Sequence, residues 1–271
     1  MATQGVISQE LLDPTAVVSI DFGTAYCGIG YAMTASGGSK ISIGAPRENI
    51  AGKTPTALFL DEHNNLLAFG REAVQAYMTY LEEKNIISGE NGNANTATPT
   101  ATKTCALYQG FKMALYNMKP GTDPIITAED GVHTIPALKL LAMSLCALKE
   151  YAISFILKQI TRALKVDEIA WVITVPVIWE ERTKLFMRQA ATEAGIVQYS
   201  MSARLKIALE PEAAAIAIES QLNGVLQQDS KFLVADCGAG TVDVTVWGAC
   251  VLRVLRCDYV TAISAQDLYD T

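Results

Sequence analysis

The chain opens its ordered part with two short apolar runs. Ala16-Val-Val-Ser-Ile-Asp21 stops at a turn, and Tyr26 to Met33 follows, so Asp21-Phe-Gly-Thr24 is predicted to join two antiparallel strands. Lys53 to Leu60 reads as a third strand that ends in the turn-like Asp61-Glu-His-Asn-Asn65. From Gly70 to Glu83 the apolar positions Ala73, Tyr77 and Tyr80 or Leu81 fall at helical spacing. Ser88 to Thr104 is almost all Gly, Asn, Thr, Ala and Ser and reads as a surface loop. Cys105 to Met118 is expected to resume as a helix carrying Lys112, and Glu129-Asp-Gly-Val132 is a hairpin signal. Pro136 opens a long helix to about Lys165, with Leu141, Leu145, Leu148, Ala152 and Phe155 on one face. Ile169 to Val175 is a strand, Glu180 to Ala194 a helix stopped by Gly195, and Pro211 to Leu222 an alanine-rich helix. Three strands close the chain, at Lys231 to Ala235, Val242 to Trp247 and Val251 to Cys257.

Composition narrows the class. Of 271 residues half are hydrophobic and 18% charged, which excludes a disordered polymer and fits a filled α/β body. A net charge of −7 and a pI near 5.0 argue against a nucleic-acid partner held by phosphate contacts. An acidic chain can still take a nucleotide, whose phosphates can be held by backbone N–H groups and a metal ion. The six cysteines are scattered without a CxxC pair and read as thiols in a reducing compartment. Met1 to Pro14 carries Glu10 and Asp13 and has no signal-peptide pattern. The apolar stretch Ala137 to Leu157 contains Lys139, Lys149 and Glu150, which argues against a membrane span. A cytoplasmic location is the resulting expectation.

Two turns carry the candidate chemistry. In Ala235-Asp-Cys-Gly-Ala-Gly-Thr241-Val-Asp243, Gly238, Ala239 and Gly240 allow the backbone to approach a ligand and aim N–H groups at it. Asp236, at the end of a strand, suits a hydrated magnesium ion. The first turn repeats the arrangement with Asp21, Gly23 and Thr24. One such turn is equally well a tight glycine hairpin. Two, far apart and each between apolar strands, fit a cleft in which facing hairpins grip a triphosphate. No GxxxxGK[ST] loop occurs.

Val18-Ser-Ile-Asp-Phe-Gly-Thr24 and Val234-Ala-Asp-Cys-Gly-Ala-Gly-Thr-Val-Asp243 resemble the two phosphate motifs of the actin-like ATPase superfamily. Between them, Trp171-Val-Ile-Thr-Val-Pro176 and Leu209-Glu-Pro-Glu-Ala-Ala-Ala-Ile-Ala217 resemble segments of the seventy-kilodalton heat-shock chaperones, most nearly their divergent twelve-subfamily. The resemblance runs from about Val17 to Thr271 with the four motifs in order. It implies an α/β, ribonuclease-H-like fold: residues 1–15 a flexible tail, 16–223 lobe I with a subdomain inserted at about 45–135, and 224–271 the start of lobe II. It implies ATP or ADP and Mg2+ as cofactors, with Asp21 and Asp236 holding the metal through water. Thr24 and Thr241, with Gly23, Ala25, Gly238, Ala239 and Gly240 beside them, would bind phosphate oxygens. Lys112 matches the family lysine that orients the attacking water, Glu210 the glutamate near that water, and Asp243 a second acid across the loop. For Lys112 a solvated helix lysine, and for Glu210 a helix-capping carboxylate, are the plain alternatives. Because such chemistry is mostly positioning, losing one of these groups is expected to slow turnover without unfolding the protein.

The sequence departs from the family where Ala25 replaces a second threonine, Ala239 a middle glycine, and Ser264-Ala-Gln-Asp-Leu-Tyr269 a glycine pair before an acidic–aromatic pair. The family's adenosine-binding segments and substrate-binding domain lie beyond the point matching Thr271, so lobe II is expected to be only begun. The expectation is therefore Mg-dependent nucleotide binding with weak or absent hydrolysis, as the ATP-binding portion of a divergent chaperone. Client polypeptides and co-chaperones would be met through regions absent here, and exposed strand edges favour self-association. A sugar or acetate kinase of the same superfamily, or a non-catalytic interaction module, are the alternatives.

Overall fold

The computed structural model describes residues 14–36, 41–44, 52–88, 104–116, 118–119, 121–158, 160, 164–222, 231–239, 241–249 and 255–264. Its central sheet grows from β1 (Ala16–Phe22) and β2 (Tyr26–Met33), the antiparallel pair expected from the apolar runs. β3 (Ile41–Gly44) and β4 (Lys53–Pro55) both pair with β2, at different places along it. On the other side of β1 lie β10 (Ile169–Val175) and β11 (Leu205–Leu209), both parallel to it. The order β3-β2-β1-β10-β11, with its antiparallel meander and two parallel additions, is the ribonuclease-H-like sheet that the resemblance implies.

Alternation fixes which side of β1 meets the core. Ala16, Val18, Ile20 and Phe22 are fully buried, so Ser19 and Asp21 fall on the opposite face. The core side is covered by α2 (Ala137–Leu157), which packs against α3 (Glu181–Glu193). Length and composition alone would allow α2 to cross a membrane, but Leu140, Leu141, Leu145 and Leu148 are all buried within the protein. Its Lys149, nearly buried, donates to the Ala194 carbonyl at 2.8 Å, where α3 ends before the left-handed Gly195. The cation thus caps the negative end of a neighbouring helix.

Between β4 and α2 the chain builds a second, three-stranded sheet in the order β6-β5-β7: β5 (Ala57–Leu60), β6 (Leu66–Phe69) and β7 (Ala106–Gln109). α1 (Arg71–Ser88) covers it over a small core of Ala57, Phe59, Ala73 and Leu107. The expected single strand 53–60 is in fact two strands in two sheets, divided at Thr56, whose N–H is taken by the Ala25 carbonyl. The helix expected over 105–118 is not formed. β7 ends at Gly110, which takes a left-handed φ of 63°, and a 3-10 turn, Phe111–Leu115, follows. A short hairpin of β8 (Ile125–Thr127) and β9 (Thr134–Pro136) leads into α2. Most of the loop read at 88–104, namely 89–103, lies outside the described residues.

α4 (Glu210–Leu222) leaves β11 and packs on a third sheet, β12-β13-β14: Lys231–Cys237, Thr241–Ala249 and Leu255–Ser264. Ala215 meets Val234 and Trp247 in the shared core. Cys27 is buried and Cys237 exposed, and both carry free thiols.

Candidate functional site

Ligands of sheets with parallel strands gather outside the strands' carboxyl ends. Here β1, β10 and β11 run parallel, and their ends carry Asp21, Thr174 and Glu210 in that spatial order. Thr174 is the register partner of Asp21 and donates its hydroxyl to Asp21 Oδ1 at 3.3 Å.

The turn after Asp21 is held from below. Thr56 donates to the Gly23 carbonyl at 2.8 Å and its N–H bonds the Ala25 carbonyl at 2.8 Å. Gly23 is required by space: a Cβ there would stand 2.3 Å from the Tyr26 carbonyl oxygen. The hydroxyl of Thr24 lies 3.9 Å from the Met113 sulfur. Thr24, Ala25 and Tyr26 also line a cavity of about 480 Å³ reaching to Arg71, Gln75 and Gln109.

Lys112 sits on the 3-10 turn after Gly110, anchored by Phe111, whose ring packs 6.2 Å from that of Phe22. Only 4% exposed, its Nζ donates to Glu210 Oε1 at 2.8 Å and lies 5.3 Å from the centre of the Trp179 ring. Lys112 is therefore not the solvated helix lysine of the plain alternative. Glu210 opens α4 but makes its ion pair across 98 residues of sequence. Burial pushes the Glu210 carboxyl above the ordinary carboxylate range. Lys112 pulls it back down, while the negative charges of Asp21 and Asp243 push it up. The expectation that losing any one group leaves folding intact is revised for this pair, since each ion is buried against the other.

The second turn lies on the third sheet. Asp236, near the end of β12, is in register with Asp243 on β13, so the two acids share one face. Asp243 is 1% exposed and within electrostatic reach of Glu210. Gly238 and Ala239 are exposed. Gly240 lies outside the described residues, and of Thr241 only its strand position is described.

One participant was missed in the sequence. Lys53, on β4, donates to Asp21 Oδ2 at 2.8 Å and is within reach of Asp236. Its raised pKa sets the desolvation of burial, which lowers it, against the hydrogen bond and charge of Asp21 and the charge of Asp236, which raise it. Lys53 lies in no motif, and Thr174, although inside the Trp171 to Pro176 segment, was not singled out; their roles come from strand register. Among the described residues no three His, Cys, Asp or Glu side chains cluster as direct metal ligands. The donor set of separate carboxylates at strand ends fits an ion that keeps most of its water, as Mg2+ does.

The sheet topology is that of the actin-like ATPase fold class, with carboxylates from separate segments converging at one end of it. The chain is 32% identical to human Heat shock 70 kDa protein 12A over 227 residues, 80% of this chain and 30% of that protein. It is 28% identical to human Heat shock 70 kDa protein 12B, over 86% of this chain and 40% of that protein. A 99-residue stretch is 34% identical to a Chaperone protein HscA homolog of Acinetobacter baylyi, covering 36% of this chain and 15% of that protein. The chain is thus similar over most of its length to these heat-shock proteins, and it spans about 30 to 40% of the length of the 12A and 12B proteins it matches. No family model matches. Among solved structures, a ParM filament from Clostridium botulinum is 12% identical, with a TM-score of 0.46, over 93% of this chain and 64% of that one. A non-polymerising MamK variant bound to AMPPNP is 11% identical, with a TM-score of 0.43, over 93% and 55%.

Proposed function

We propose that this chain binds ATP or ADP together with Mg2+, as the nucleotide-binding portion of a divergent heat-shock-type chaperone. The observation that carries the reading is convergence. Asp21, Glu210 and the Asp236–Asp243 pair come from three distant parts of the sequence. Lys53 bonds Asp21 and is within electrostatic reach of Asp236, while Lys112 bonds Glu210, which is within reach of Asp21 and Asp243. A polyphosphate with its metal is the ligand whose alternating charges match that mixture.

In this reading the phosphates lie between the turns after Asp21 and Asp236, with the backbone N–H groups of Gly23 to Ala25 and Gly238 to Thr241 as donors. Mg2+, when bound, would offset phosphate charge, with Asp21 and Asp236 as its water-mediated carboxylates. Lys112 faces the terminal phosphate with the N–H donors that Glu210 does not use. Glu210, held above the usual carboxylate range, accepts a hydrogen bond from the water beside it. Hydrolysis is weak or absent in this chain. Residues 16–223 act as one lobe and 224–271 belong to a second. Client polypeptides and co-chaperones as partners rest on the resemblance alone. Calorimetric titration of ATP and ADP, with and without Mg2+, tests the proposal. One-to-one binding strengthened by Mg2+ supports it, and absence of binding at millimolar nucleotide to folded protein overturns it.

A further inference from the structure

Lys53 and Asp21 do not lie on neighbouring strands. Asp21 on β1 is opposite Gly28 on β2, and Gly28 in turn is opposite Lys53 on β4. The lysine therefore crosses the middle strand to reach the aspartate, and it crosses above the one residue of that row without a side chain. A Cβ on Gly28 would stand 3.6 Å from Lys53 Cγ and 3.0 Å from the Gly52 carbonyl oxygen. The row Lys53–Gly28–Asp21 is thus a track that delivers an ammonium group to the carboxylate at the centre of the site.

Fold stability does not account for this arrangement. The two side chains are 51% and 43% exposed, and ion pairs as open as this one stabilise a fold little. The ammonium is also within electrostatic reach of Asp236 on the other sheet. It stands where the two carboxylates assigned to the metal face the same space, and their repulsion would otherwise oppose a polyanion.

We propose that Lys53 is the cleft's own cation: it neutralises Asp21 when no metal is present and offers its ammonium to the phosphates of a bound nucleotide. Nucleotide binding is then less dependent on divalent metal than Asp21 and Asp236 alone would make it. The proposal rests on the nucleotide reading above. It makes Lys53 a binding residue outside the motifs that carry the resemblance, placed by strand register.

The test is the affinity of the whole chain for ATP, measured by calorimetry in Mg2+ and again in EDTA, for the wild type, Lys53→Met and Lys53→Arg. The quantity read is the ratio of the two dissociation constants. Lys53→Met should raise that ratio about tenfold or more, because the metal-free form loses the ammonium that pairs with Asp21. Lys53→Arg should keep the ratio near the wild-type value, and the open position of residue 53 leaves the unfolding midpoint of both variants unchanged. A Lys53→Met ratio equal to that of the wild type, with ATP still bound, overturns the role of Lys53 and leaves the nucleotide reading standing. Wild-type protein that binds no ATP in either buffer overturns both.

Discussion

Replacing Lys112 with methionine removes a charge while keeping most of the side chain's apolar length. In the folded protein it leaves Glu210, 15% exposed, without the ammonium that sits 2.8 Å from its Oε1. Breaking a buried pair in this way costs about 3–5 kcal/mol. Loss of the Lys112 contact with the Trp179 ring adds roughly 0.5–1 kcal/mol. The residual exposure of Glu210 and its ability to take up a proton work the other way, so we expect a net loss of about 3 kcal/mol near pH 8. The pH dependence carries a definite sign. Burial already raises the Glu210 carboxyl, and Lys112 is what lowers it, so the variant raises it further. A carboxyl raised in the folded state binds its proton more tightly there than in the unfolded chain. Stability is then lost as pH climbs from the unfolded carboxylate value through the folded one, and the deficit should shrink near pH 5. Urea unfolding followed by tryptophan fluorescence at both pH values measures this for the wild type, Lys112→Met, Glu210→Gln and the double variant. The double variant should recover most of the loss, since no buried charge is left alone. A deficit under about 1 kcal/mol near pH 8, or one equal at both pH values, would refute the reasoning.

Gly23→Ala forces its Cβ to within 2.3 Å of the Tyr26 carbonyl oxygen, so the first turn must open. We expect a loss of about 1–3 kcal/mol in stability together with weakened ATP binding, and a variant that matches the wild type in melting and titration would contradict the assigned turn geometry. Cys27 is buried with its thiol pushed up to about 12 by burial, whereas Cys237 is exposed at the second turn. A thiol reagent near pH 8 should therefore label Cys237 and spare Cys27 until the protein unfolds, as mass spectrometry of the digested protein would show; early labelling of Cys27 would contradict its burial.

Much of the central sheet was legible because its strands alternate or run apolar in ways that only one register satisfies. Ala16, Val18, Ile20 and Phe22 point one way, so Asp21 had to point the other. The start of α2 at Pro136 and the break at Gly195 were equally plain, but α2 ends at Leu157 rather than near the expected Lys165. What escaped was decided by neighbours distant in sequence. The segment 53–60 is uniformly strand-like, yet it serves two sheets because Thr56 is tied to the turn at Gly23 and Ala25. Residues 105–118 have helical composition, but Gly110 in a left-handed conformation ends β7 and leaves only a 3-10 turn for Lys112. The short β3, β6 and β11 carry too few residues for a period to emerge. In the site, the aspartates and glycines sit in motifs and could be named from sequence. Lys53 belongs to no motif and Thr174 is an unmarked position within the Trp171 to Pro176 segment, and only the pairing of β4 with β2 and of β10 with β1 brings them to Asp21.

The central claim is that two remote hairpins act as one phosphate cleft, and a single comparison tests it most directly. It sets the affinity of the wild type for ATP with Mg2+ beside that of Asp21→Asn, Asp236→Asn and the double variant. Each single change should weaken Mg-dependent binding by about tenfold or more, through loss of one charge-assisted contact to the hydrated ion, while binding in EDTA changes far less. The double change should abolish the effect of Mg2+. Folded Asp21→Asn and Asp236→Asn proteins that bind ATP as the wild type does, with the same response to Mg2+, would contradict the two-hairpin site.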